Sequence, residues 1–178
     1  MKLLLLIVLG TFSQISFAQT KQPTIRKNSI SADIGFVGSW LNYEKQIKQL
    51  LTIKTSIGAE GGFSFGPSTN YFALTPTLRL EPRYYYNFNR RVKLEKKTLY
   101  NAANYFAVTF LVIPNLFTIS NAAGVEFESG LHVIPKVGIK RTIGQRMNFE
   151  FGIGYGPFFG ENGIDGAVGA DIHIGYNF

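Results

Sequence analysis

Residues 169–178 read GADIHIGYNF, and their pattern decides the fold. Ala170, Ile172, Ile174, Tyr176 and Phe178 fall on one side of an extended chain. Gly169, Asp171, His173, Gly175 and Asn177 fall on the other. Successive strand side chains point to opposite faces, so this alternation predicts a strand between an apolar and a polar environment. The same pattern recurs upstream. Ile30, Ala32, Ile34 and Phe36 alternate with Ser31, Asp33 and Gly35, and Leu41 and Tyr43 with Trp40, Asn42 and Glu44. Leu51, Ile53, Thr55, Ile57 and Ala59 alternate with Lys54, Ser56, Gly58 and Glu60. The longest run sets Phe72, Leu74, Pro76, Leu78, Leu80, Pro82, Tyr84, Tyr86 and Phe88 against Thr75, Thr77, Arg79, Glu81, Arg83 and Tyr85. Later runs carry Phe106 to Val112, then Leu131 to Ile139 against His132, Lys136 and Lys140. Met147 to Tyr155 then alternate with Asn148, Glu150, Gly152 and Gly154.

Breaks between these runs set the strand count. Residues 37–39 are read as a tight turn, with one long strand bent at Gly38 as the competing reading. Residues 46–49, 66–70 and 142–146 are short turns, and 66–70 is a Gly-Pro-Ser-Thr-Asn cluster. Residues 87–103 form a basic connection, 113–130 a long loop, and 156–167 a Gly-rich loop. Pro76 and Pro82 cannot donate to a ladder, so bulges or unpaired positions are expected beside them. The count is eight, and the expected fold is an all-β, antiparallel up-and-down barrel crossing a membrane.

An even count puts both termini at one end. It also sorts charge. Lys21, Arg26, Lys27, Lys45, Lys48, Arg90, Arg91, Lys93, Lys96, Lys97, Arg141 and Arg146 fall at that end, while the connections at the other carry Glu126, Glu128, Glu161 and Asp165. The polar phase collects Asp33, Glu44, Glu60, Glu81, Glu150 and Asp171 with Lys54, Arg79, Arg83, Lys136, Lys140, His132 and His173. An eight-stranded barrel is just wide enough to be filled by side chains. A charged, salt-bridged plug between inward glycines is therefore expected, with aromatic girdles (Tyr43, Tyr84, Tyr86, Phe88, Tyr155, Tyr176, Phe178) outside. A soluble barrel would reverse the two faces.

The N-terminus fits an exported protein. Met1-Lys2, an apolar run from Leu3 to Gly10 and Ser16-Phe17-Ala18 have the order of a secretory signal peptide, with cleavage expected after Ala18. Residues 1–18 are read as signal peptide, 19–28 as a mobile periplasmic lead-in, and 29–178 as the barrel domain. The chain has no Cys, which removes a lipid anchor on Cys, a disulfide framework and thiol chemistry. The net charge of +7 suits an anionic membrane surface, given where the bases fall; no nucleic-acid partner is expected.

The ending, Tyr176 and Phe178 two residues apart, resembles the closing strand of bacterial outer-membrane barrels. In that family the assembly machinery recognises such an ending. The whole mature chain resembles small eight-stranded barrels of the OmpA/OmpX type. Leu41-Asn42-Tyr43-Glu44 and Leu80-Glu81-Pro82-Arg83-Tyr84-Tyr85-Tyr86-Asn87, running into Asn89-Arg90-Arg91, resemble an outer-membrane barrel family of unassigned function. The resemblance implies an outer-membrane location with periplasmic termini. Outer-membrane lipids, lipopolysaccharide and the assembly machinery are the implied partners. It leaves activity open, and no cofactor is implied.

No enzyme motif stands out. His132 and His173 lie on the inward phase without a nucleophile at a recognisable spacing, and are read as members of the polar plug. Outer-membrane deacylases of lipid A carry His and Ser two apart; here Ile134 follows His132. The histidines are too isolated for a metal set. Glu126, Glu128 and Glu161 could meet divalent cations, and Phe117, Ile119, Phe158 and Phe159 place apolar groups on outer loops, where exposed apolar side chains can mark a contact surface. The expected function is a non-enzymatic barrel with a structural or surface-binding role. The rivals are a narrow porin-like channel for a small solute, a lipid-modifying enzyme and a soluble lipocalin-like binder.

Overall fold

A computed structural model describes residues 24–36, 38–65 and 70–178. The expected signal peptide, the start of the lead-in, Val37 of the first turn and residues 66–69 of the Gly-Pro cluster lie outside the described residues. The strands are β1 (Asn28–Gly35), β2 (Gly38–Lys48), β3 (Leu51–Phe65), β4 (Asn70–Tyr84), β5 (Asn104–Ile113), β6 (Ile119–Ser120), β7 (Gly130–Ile143), β8 (Met147–Gly160) and β9 (Gly163–Asn177). One short helix, α1 (Phe88–Lys93), and a 3₁₀ turn (Leu99–Asn101) lie between β4 and β5.

The eight long strands pair antiparallel in chain order, and β9 returns to β1 with Ser31 opposite Asn177 and Gly35 opposite His173. The sheet is thus an up-and-down ring, compatible with a barrel. The two-residue β6 adds to β4 at Ala73 and Leu74. Where residues 37–39 were expected to turn, Gly35 already pairs Gly38, so Gly38 belongs to β2.

All four strand prolines sit where the ladder to one neighbour lapses. Pairing of β4 with β5 skips residues 81–82 and stops at Leu78, which frees the β5 side of Pro82 and Pro76. Pairing of β7 with β8 skips from His132–Phe158 to Lys136–Gly154, and Pro135 and Pro157 fall inside that gap. Register is kept across both gaps, so these are unpaired windows rather than bulges. The reason is that proline has no N–H to give.

The ring is polar inside and apolar outside. Ser29, Ser31 and Asp33 of β1 are buried while Ile34 is 70% exposed. On β9, His173 and Asn177 are buried between exposed Ile172, Ile174 and Tyr176. Soluble folds place these two chemistries the other way round. Among the described residues no helix is long and apolar enough to cross a membrane, which concerns helices alone.

Several expectations need correction at the connections. The fourth strand ends at Tyr84, not Phe88. Asn87 leaves the extended region (φ −105°, ψ 9°), α1 begins, and Phe88 turns inward to 1% exposure instead of joining an outer girdle. The basic connection 87–103 is therefore a folded cap. Phe88, Tyr85, Ala103, Tyr105, Ala107 and Ile25 form one buried cluster, with Leu50 and Val92 at its edge. Ile25 lies in the expected mobile lead-in. It is buried, and the Arg26 N–H donates to Asn101 Oδ1 at 2.8 Å. The Gly-rich segment 156–167 is a hairpin rather than a loop, paired from Tyr155–Val168 to Gly160–Gly163, because glycines still supply both backbone partners.

Candidate functional site

The interior is organised around ion pairs between strands distant in sequence. Asp33 of β1 meets Lys54 of β3 at 3.0 Å, and Lys54 lies 3.7 Å from Glu150 of β8. Glu150 receives a two-pronged guanidinium from Arg83 of β4, at 2.5 and 3.1 Å. Arg83 Nε–H also donates to Glu81 at 2.5 Å, and Lys136 of β7 reaches Glu81 at 2.5 Å. Lys136 pairs with Asp171 of β9, Asp171 with Arg79 at 3.1 Å, and Arg79 with Glu60. Acid and base alternate without a break from Asp33 to Glu60, and both ends are carboxylates. Two-pronged arginine–carboxylate contacts are the strongest of these, since both hydrogen bonds are charge-assisted.

Neutral donors complete the shells. Tyr105 and Thr109 of β5 donate to Glu150 and Glu81 at 2.8 and 2.6 Å. These two sit on the inward phase of β5, so the period of two could have found them. A second hub stands apart. Glu44 accepts from Thr52 at 2.8 Å, Tyr85 at 2.7 Å, Asn101 at 3.0 Å and Lys140 at 3.3 Å. Asn101 comes from the 3₁₀ turn and carried no sequence signal. Burial pushes the Tyr85 hydroxyl well above its ordinary pKa, and the Glu44 carboxylate beside it adds to the effect, so it stays a proton donor.

Arg and Tyr need room. A Cβ at Gly138 would collide with the Tyr105 ring, and one at Gly175 with the Asp33 carboxylate. The Arg83 guanidinium lies over the Tyr105 ring, 4.3 Å from its centre, and Trp40 packs on His173 at 4.5 Å.

Toward the acidic end the packing opens. A cavity of about 320 Å³ is floored by Glu60, Arg79, Lys136 and Asp171 and walled by Leu111, Phe127, His132 and Ile134. Two buried polar atoms of its lining residues, Arg79 Nε and His132 Nδ1, have no hydrogen-bond partner. His132 stacks on Phe158 at 4.3 Å.

The expected outer-loop residues separate into groups. Phe158 and Phe159 lie in β8, not on a loop: Phe158 turns inward and Phe159 is exposed. Phe117 is exposed on the β5–β7 connection. Glu128 accepts from the backbone and side chain of Asn162, at 3.0 and 3.2 Å, and Ser129 donates to Glu161 at 2.5 Å. These bonds tie that connection to the β8–β9 turn. Glu126 stands beside the small recess under Phe117. At the other end Tyr176 packs edge-on against Phe178 at 5.4 Å, and Arg146 donates to the Tyr176 hydroxyl at 3.2 Å.

His173 Nε2 is 3.7 Å from Asp171, and that carboxylate is already held by Arg79 and Lys136. Among the described residues no group of three or more acidic or histidine side chains is placed to hold a metal ion. Family models, curated proteins and solved structures offer no match to this chain, so the geometry carries the functional reading alone.

Proposed function

We propose that the chain is an integral outer-membrane β-barrel with a lumen filled by side chains, serving a structural or surface-binding role without chemistry of its own. The observation that carries this is the sidedness of the ring. Ile34, Ile57, Val168 and Ile174 are half or more exposed, on a face continuous around the strands, while charges fill the inside. A soluble monomer rarely exposes contiguous apolar surface beyond a few hundred Å². Closed barrels are one of only two ways for a backbone to cross a bilayer with every polar group paired. The outer face over β1–β5 also holds a shallow groove lined by Ile30, Leu41, Tyr43, Ile57, Leu80 and Phe110, a surface that acyl chains would fill.

Residues 1–18 would direct export, and Tyr176 and Phe178 would present the assembly signal. The basic end, with both termini, would face the periplasm and the anionic headgroups of the inner leaflet, worth about 1 kcal/mol per base near the surface. The acidic end would then face outward among lipopolysaccharide. The capped basic end and the alternating ion pairs support a filled lumen over a porin-like path.

Fractionation and gel migration test this reading. The protein should be recovered with the outer membrane and run as a compact band in detergent until boiled. Recovery as a soluble periplasmic pool with no heat-dependent shift would overturn it. Conductance across a planar bilayer would favour the channel instead.

A further inference from the structure

We infer that the cavity at the acidic end is a binding cup for a small organic cation: an ammonium on an apolar body, with a hydroxyl or carbonyl oxygen beside the nitrogen. The interior chain begins and ends on carboxylates, so its nine members carry one more acid than base. The terminal member is Glu60, on the cavity floor. Its side chain is 23% exposed, against 12% or less for every other interior carboxylate in these pairs. Among the described residues its ionic partner is Arg79, which Asp171 also holds. The spare negative charge therefore sits where a ligand can reach it.

The mouth points the same way. Charged side chains on the described connections of that end, and on the strand beside them, are Glu126, Glu128, Glu161 and Asp165, with no lysine or arginine. A cleft rimmed by one sign of charge concentrates ligands of the other. Walls of Leu111 and Ile134 suit an apolar body, and Phe127 offers an aromatic face that attracts a cation. The volume lies at the small end of ligand pockets, about 300–1,000 Å³. Arg79 supplies the remaining feature. Its side chain is 8% exposed, its two terminal nitrogens are held by Asp171 and Glu60, and its Nε–H is unpaired. That nitrogen is buried as it stands, so a ligand oxygen next to the ammonium would take the donor as the guanidinium turns toward the cavity, while the ammonium pairs with Glu60. The inference concerns the ring interior and stands whether or not the ring lies in a membrane. Fractionation tests the location; binding tests the cup.

The probe is phenylethanolamine, titrated calorimetrically into the folded mature protein in detergent micelles. Phenylethylamine, phenylethanol and mandelate are the comparisons. The expected order is phenylethanolamine tightest, phenylethylamine weaker, and phenylethanol and mandelate at least tenfold weaker than the first. Added salt should weaken the two amines. Glu60→Gln should weaken phenylethanolamine at least tenfold. Leu111→Trp, which fills the cup from the strand position opposite Arg79, should abolish binding and covers the case in which Glu60→Gln fails to fold. Absence of phenylethanolamine binding, mandelate binding as tightly, or full binding by Leu111→Trp would overturn the inference, as would unchanged affinity in a folded Glu60→Gln protein.

Discussion

The two ends of the ring interior are built from the same alternating strands and finished differently. At the basic end, Glu44 has four donors, and Ile25, Tyr85 and Phe88 close over it with 1% exposure or less. At the acidic end a cavity remains beside Arg79 and His132, and Glu60 is partly exposed. One end has been completed by a cap that the connection 87–103 supplies; the other has been left able to accept something. Unpartnered buried polar atoms occur at both ends, with Arg91, Asn148 and Asn177 at the basic one, so the contrast rests on the cap over Glu44 and on the open cavity beside Glu60.

Substitutions can break that contrast. The largest loss should come from Arg83→Ala, which removes the shared base between Glu81 and Glu150 and leaves them only Lys136 and the more distant Lys54; breaking a buried ion pair costs about 3–5 kcal/mol. Urea unfolding of the protein in lipid vesicles measures this, and a loss under about 1 kcal/mol would mean that water enters and solvates the carboxylates. Next comes a matched pair of truncations. Phe88→Ala should cost about 3 kcal/mol, as for other buried phenylalanines, and Phe158→Ala beside the cavity clearly less. Equal losses would erase the difference between the halves. Enlargement should show the reverse asymmetry. Ala103→Leu in the cap should cost about 1–3 kcal/mol through overpacking, whereas Ile134→Phe has the cavity to grow into and should cost less than 1 kcal/mol. The smallest effect is expected from Glu126→Gln on the outer connection, within about 0.5 kcal/mol of the parent.

Strand faces were legible because the period is two residues in chemistry as well as geometry: Asp33, Glu81, Lys136, Glu150 and Asp171 each stand between apolar neighbours in the chain. Partner choice was not, since Lys54 meets Glu150 across the ring and nothing local encodes that. The cap was hidden for a different reason. Tyr84, Tyr86 and Phe88 continue the strand rhythm past the point where Asn87 turns the backbone, and Asn101 gains its role only when it reaches Glu44. Gly and Pro in 156–167 suggested a loop, but strand pairing uses the backbone, and register with β9 held it extended. The cavity had no sequence signature, because it is what inward side chains leave unfilled.

The central claim is that the apolar face is the outer one and lies in lipid. The chain has no native Cys, so single thiols can be placed at will. In outer-membrane vesicles, Ile57→Cys, Leu78→Cys, Ile153→Cys and Ile172→Cys, each on the exposed face, would carry a fluorophore, with Phe117→Cys as the loop control. Brominated lipids should quench the four face positions strongly and the loop position weakly, and a charged aqueous thiol reagent should reach only the loop. Free reaction of the four face positions with that reagent, without quenching by lipid, would contradict the account.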